Sequence, residues 1–105
     1  MDDSEFNARA DRTLARIEAA LEACDADLDF ELAAGGILEI EFEDGSKIIV
    51  NRHGVAREIW VAARAGGFHF RADGDLWRDT RDGAELMEKL SRLVSQQAGQ
   101  AVTLG

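Results

Sequence analysis

A chain of 105 residues suits one domain with its own core and leaves little room for a second. With 46% hydrophobic residues, 31% charged residues and a net charge of −9, it reads as a globular protein, and its sign argues against nucleic acid and anionic membranes, which are bound through Lys and Arg. One cysteine, Cys24, permits no internal disulfide and no thiolate-rich zinc site. No apolar run approaches the roughly 18 residues of a membrane span. Met1-Asp2-Asp3-Ser4-Glu5 lacks the basic-then-apolar order of a secretory signal, so the expected address is cytoplasmic.

Phe6, Ala10, Leu14, Ile17, Leu21 and Cys24 recur at spacings of three and four, the apolar stripe of one long amphipathic helix, with Ser4 as the expected N-cap. The period then becomes two. Leu28–Leu32 alternates as an edge strand, and Leu38, Ile40 and Phe42 alternate with Glu39, Glu41 and Glu43 in the next. Asp44-Gly45 signals a hairpin into Ser46–Val50. Asn51–Gly54 reads as a turn carrying His53, followed by strands at Glu58–Ala62, Gly67–Arg71 and Leu76–Arg78. A second helix is predicted from Asp82 to Gln97, with Leu86, Met87, Leu90, Leu93 and Val94 as its stripe and Gly99 just past its end. Two helices each need an apolar surface, and one face of a sheet supplies it. The expected fold class is α+β: residues 1–105 as one two-layer α-β sandwich, two helices packed on one face of an antiparallel sheet of about six strands.

Charge is distributed unevenly over these elements. At 100° per residue Asp11, Glu18, Glu22 and Asp25 fall together on the flank of the apolar stripe, with no basic residue at i+4. Asp25, Asp27, Asp29 and Glu31 follow at spacings of two. Helix and edge strand together predict a band of carboxylates. Such a surface takes hard, oxygen-loving cations at modest affinity, or it is simply a solvated acidic face. Asp25-Ala26-Asp27-Leu28-Asp29 opens like an EF-hand, but Phe30 and Gly36 stand where the loop needs Gly and Glu.

Trp60 is expected on the open sheet face, as a protein-contact anchor or partly covered by its neighbours, with Trp77 in or near the core. His53 and His69 lack a second His or Cys at ligand spacing, and read as surface residues. No nucleophile has an adjacent base, so the chain carries no positive signal of catalysis.

Asp3-Ser4-Glu5-Phe6, the acids from Glu18 to Glu31, Gly45–Arg52, Ile59-Trp60-Val61-Ala62, Gly66–Phe70 and Gln96-Gln97-Ala98-Gly99 together resemble bacterial frataxin, the CyaY type, in order over essentially the whole chain. The resemblance implies the same α-β sandwich and a monomer in the absence of iron, a non-enzymatic regulator of iron–sulfur cluster assembly that binds ferrous and ferric iron weakly. It implies that Asp3, Glu18, Glu22, Asp25, Asp27, Asp29 and Glu31 carry iron and contact a cysteine desulfurase. It further implies that Asn51, Arg52 and Trp60 are sheet-side contacts to partners that include the cluster scaffold protein. Ala19 and Ala23 stand where relatives often carry acids, which thins the ridge, and His53 replaces a common glutamine. Ferroxidase or iron-storage activity, and a metal-independent interaction module, are the alternatives.

Overall fold

In the computed structural model, which describes all 105 residues, a helix, six strands and a second helix follow one another along the chain. They are α1 (Asp3–Ala23), β1 (Leu28–Ala33), β2 (Ile37–Phe42), β3 (Lys47–His53), β4 (Glu58–Ala63), β5 (Gly66–Asp73), β6 (Leu76–Asp79) and α2 (Leu86–Ala98). The strands form one antiparallel meander in the order β1-β2-β3-β4-β5-β6. Across it Leu38 pairs with Val50, Val50 with Val61 and Val61 with Phe68, so the buried alternate residues of successive strands lie in rows on one face. A slip of one residue in any pairing would turn that strand's apolar set to the opposite face. Both helices cover the apolar face, as the expected two-layer sandwich requires.

Local chemistry moved several boundaries. The N-cap of α1 is Asp2, whose carboxylate accepts the Glu5 N–H at 2.8 Å, and Ser4 lies inside the first turn. Helix α2 begins at Leu86 rather than Asp82, because Asp82 is spent in the preceding turn, accepting the Ala84 N–H and the Lys89 ammonium. Glu85 is its cap, accepting from the N–H groups of Met87 and Glu88. Strand β3 continues through Asn51, Arg52 and His53, which the sequence reading had in a turn.

The core is closed by polar staples as well as apolar contact. Trp77 packs edge-on to Phe6 at 6.0 Å and donates its indole N–H to Thr13, tying β6 to α1. Burial alone would discharge Lys89, but Asp79 at 2.7 Å and Asp82 at 2.8 Å hold it protonated. Gln97 accepts the Arg64 N–H and donates to Ser46 and the Lys47 carbonyl, pinning the end of α2 to two sheet turns. Ser91 and Ser95 accept the N–H groups of Leu104 and Val102, seating the last residues against α2.

Neighbouring isoleucines on β3 test the two-faced reading. Ile48 is fully buried beneath the helices and Ile49 half-buried on the open face. Ile48→Ala is expected to cost about 3 kcal/mol in denaturant unfolding and Ile49→Ala about 1 kcal/mol.

Candidate functional site

The carboxylates anticipated along α1 and β1 all reach the surface but do not all lie on one side of the molecule. Glu18, half-buried, and Glu22 and Asp25, exposed, run along the flank of α1 and past its end. Leu28 and Phe30 turn into the core, which sends Asp29 and Glu31 to the sheet face away from the helices. There the β1–β2 register sets Asp29 opposite Glu41 and Glu31 opposite Glu39. The acidic band therefore wraps around the β1 edge, from the helix layer onto the open face. Glu39 and Glu41 belong to it, a membership visible only once the hairpin register places them beside Asp29 and Glu31. Lys47 pairs with Glu39 at 2.5 Å, while Glu18, Glu22, Asp25, Asp27, Asp29, Glu31 and Glu41 have no salt-bridge partner.

The N-terminal half of α1 is different. Asp11, without a basic neighbour in sequence, meets the Arg52 guanidinium at 2.6 Å across 41 positions. Asp3 is held at 2.8 Å by Arg57, which also donates to the Met1 carbonyl. Arg52 shares the parity of Ile48 and Val50, and so it lies on the helix side of the sheet rather than on the open face with Asn51 and Trp60. Its side chain crosses Gly36, where a Cβ would stand 2.8 Å from Arg52 Nε on a backbone at φ +75°. Only glycine leaves that passage open.

No three of the chain's His, Cys, Asp or Glu side chains converge on a point where one metal ion could sit. The acids stand side by side along an edge. They make a negative field rather than a chelating cage, suited to exposed, partly hydrated cations or to a basic protein surface.

On the open face Trp60 is half-buried, not free: it is stacked between His53, centroids 3.7 Å apart, and His69, 4.4 Å apart, with planes within 12°. The partly covered alternative describes it. Beneath it sits Glu58, 5% exposed, which accepts the Trp60 indole N–H at 2.9 Å and Arg71 Nε at 2.8 Å, with His69 Nδ1 at 3.7 Å. Burial pushes the Glu58 carboxyl up, but the bonds from Trp60 and Arg71 outweigh it and leave the group below the usual carboxylate range. Sequence reasoning missed Glu58 as an anchor. Its only signal was its place two residues before Trp60 on the same strand face.

Comparison with known proteins places this geometry in a family. Residues 1–100 match the frataxin-like domain. The "Iron-sulfur cluster assembly protein CyaY" of Dechloromonas aromatica is 80% identical over 104 residues, covering 99% of each chain. The protein of the same description from Cupriavidus necator is 55% identical, covering 100% of this chain and 97% of that one. Among solved structures, frataxin from Psychromonas ingrahamii superposes with a TM-score of 0.91 at 33% identity, over 98% of this chain and 97% of that one. Trimeric frataxin from the yeast Saccharomyces cerevisiae, complexed with ferrous iron, shares the fold with a TM-score of 0.69 at 22% identity, over 95% of this chain and 88% of that one.

Glu58 carries a pH signature. Its depressed folded-state pKa means that its charge stabilises the fold above the unfolded value and that this contribution is lost as pH falls through the folded one. Glu58→Gln is expected to lower stability by about 1 kcal/mol at neutral pH, with the difference from wild type closing below about pH 4 in parallel denaturation curves.

Proposed function

The chain belongs to the frataxin-like family, and from that premise we propose that it is an accessory, regulatory protein of iron–sulfur cluster assembly. It acts on the complex of cysteine desulfurase and scaffold protein rather than as an enzyme. The acidic band engages a basic surface of the desulfurase and holds iron weakly. The open face around Asn51 and Trp60 engages the scaffold.

One observation carries this reading: seven carboxylates without a salt-bridge partner, Glu18, Glu22, Asp25, Asp27, Asp29, Glu31 and Glu41, follow one another around one edge of the molecule, while Asp3, Asp11, Glu58 and Asp79 elsewhere are paired. Packing like charges costs stability, and a folded chain retains such a strip where a cation or basic partner offsets it. The absence of a converging ligand set supports loose, exchangeable iron over a storage or ferroxidase centre, in which His and Glu would close around the metal. Asp3 contributes least, since Arg57 already occupies it. Arg52 supports the surface from beneath through Asp11.

The test is desulfurase turnover with scaffold present, against added protein and ferrous iron under anaerobic conditions. Wild type should change the rate in an iron-dependent way. Asp25→Asn/Asp27→Asn/Asp29→Asn should lose that response and bind the desulfurase at least about tenfold more weakly, with the effect shrinking as salt is raised. Unchanged turnover and unchanged binding with the triple variant would overturn the assignment.

A further inference from the structure

The turn between β3 and β4 touches both surfaces at once. His53, the last residue of β3, leads into it and lies on Trp60 on the open face, and the turn's own last residue, Arg57, holds Met1 and Asp3 at the start of α1. Arg57 is the chain's only non-glycine residue with positive φ, at +54°, a conformation that needs support from its surroundings. Two bonds close the turn. The Arg57 N–H donates to the Gly54 carbonyl at 3.3 Å, and the Ala56 N–H donates to His53 Nδ1 at 3.2 Å. The second bond requires an unprotonated Nδ1.

We propose that His53 is a proton-operated latch on this turn, which sets the shape of the open face at Trp60 and the hold of Arg57 on the N-terminus. Imidazole is the side chain that ordinarily gains a proton between pH 8 and 5. A proton from solvent on Nδ1 sets two N–H donors against each other, and the Ala56 bond is lost. The surroundings offer no replacement acceptor. Glu58, opposite His53 on β4, already accepts from Trp60 and Arg71 and has the His69 imidazole beside it on β5. Beyond Arg71, Arg78 is paired with Asp73. Of the turn's own neighbours, Arg57 is committed to Asp3, and Arg52 points through the sheet to Asp11. With Nδ1 protonated, the turn keeps only the Arg57–Gly54 bond. Residues 54–57 then loosen, and Arg57 leaves its strained conformation.

The consequence for partner binding rests on the open-face reading above; the latch itself does not. Amide and indole NMR spectra are recorded from about pH 8 to about pH 5.5. In wild type the amides of Val55, Ala56 and Arg57 and the Trp60 indole N–H are expected to titrate with one midpoint, and Ala56 to lose roughly fivefold in protection from exchange after correction for intrinsic rates. In His53→Gln, whose carbonyl can accept the same bond without titrating, the three turn amides should stay flat, and any residual movement of the Trp60 indole N–H belongs to His69 on its other face. In His69→Gln they should still titrate. An invariant Ala56, a titration of the turn amides that survives His53→Gln, or movement of Ala56 without Arg57 and Trp60 in wild type would each overturn the latch. Imidazole ¹⁵N shifts of wild type supply a check free of mutation: a protonated His53 Nδ1 at about pH 8 would also overturn it. Scaffold affinity should fall roughly fivefold across the same range in wild type alone. A scaffold that binds at no pH would count against the open-face reading and leave the amide result to decide the latch.

Discussion

A six-stranded antiparallel sheet has two faces, and this chain has helices for only one of them. Everything that distinguishes its surfaces follows from that asymmetry. The rows Leu38–Val50–Val61–Phe68 and Ile59–Phe70 can be buried only beneath α1 and α2, so every residue of opposite parity is delivered to the bare face. Asp29, Glu31, Glu39 and Glu41 arrive there at one side, and His53, Trp60 and His69 in the middle. The inward parity puts Asp79 under α2, where the Lys89 ammonium and the Arg81 N–H make it tolerable.

Given that frame, the distribution of countercharge separates structural acids from free ones. Asp3 and Asp11 lie along the half of α1 nearest the β3–β4 turn, within reach of Arg57 and Arg52. Glu18, Glu22 and Asp25 lie toward the other end, where no basic side chain approaches. Exposed pairs such as Arg57–Asp3 contribute little to stability, and their larger effect is on the field: they cancel charge at one end of the helix and leave it at the other. Glu18, Glu22 and Asp25 thus join Asp29, Glu31 and Glu41 in a run of uncompensated charge around the β1 edge, the surface that the proposed reading assigns to a basic partner or a hydrated cation.

The legibility of the fold followed the range of the interactions involved. The stripe of α1, the alternation of the six strands and the Asp44-Gly45 hairpin are local patterns, and each appears in the structure as read. Helix starts were less legible because a cap competes with other uses of the same carboxylate; Asp82 looked like a first-turn acid and was taken by Ala84 and Lys89 instead. The pairs Arg52–Asp11 and Arg57–Asp3 span 41 and 54 positions, beyond any i+4 rule. Asp29 and Glu31 were placed on the correct side of their own strand, but which face of the sheet that side becomes depends on where the helices pack.

On the proposed reading, Trp60 serves both packing and recognition. Stacked between two imidazoles and fixed by Glu58, the ring has already lost the freedom that a contact residue otherwise loses on binding. What it would offer a partner is therefore a rigid, partly covered surface whose shape is set by its neighbours as much as by itself. Of those neighbours His69 belongs to a regular strand flanked by partners on both sides, and its position is held by the ladder. His53 closes a strand and opens a turn with a strained arginine at its far end. Any change at the turn is thus felt at Trp60 through His53, while a change at β5 must first break sheet hydrogen bonds. Sensitivity on the open face is concentrated at its β3–β4 corner, which also borders the neutralised half of α1.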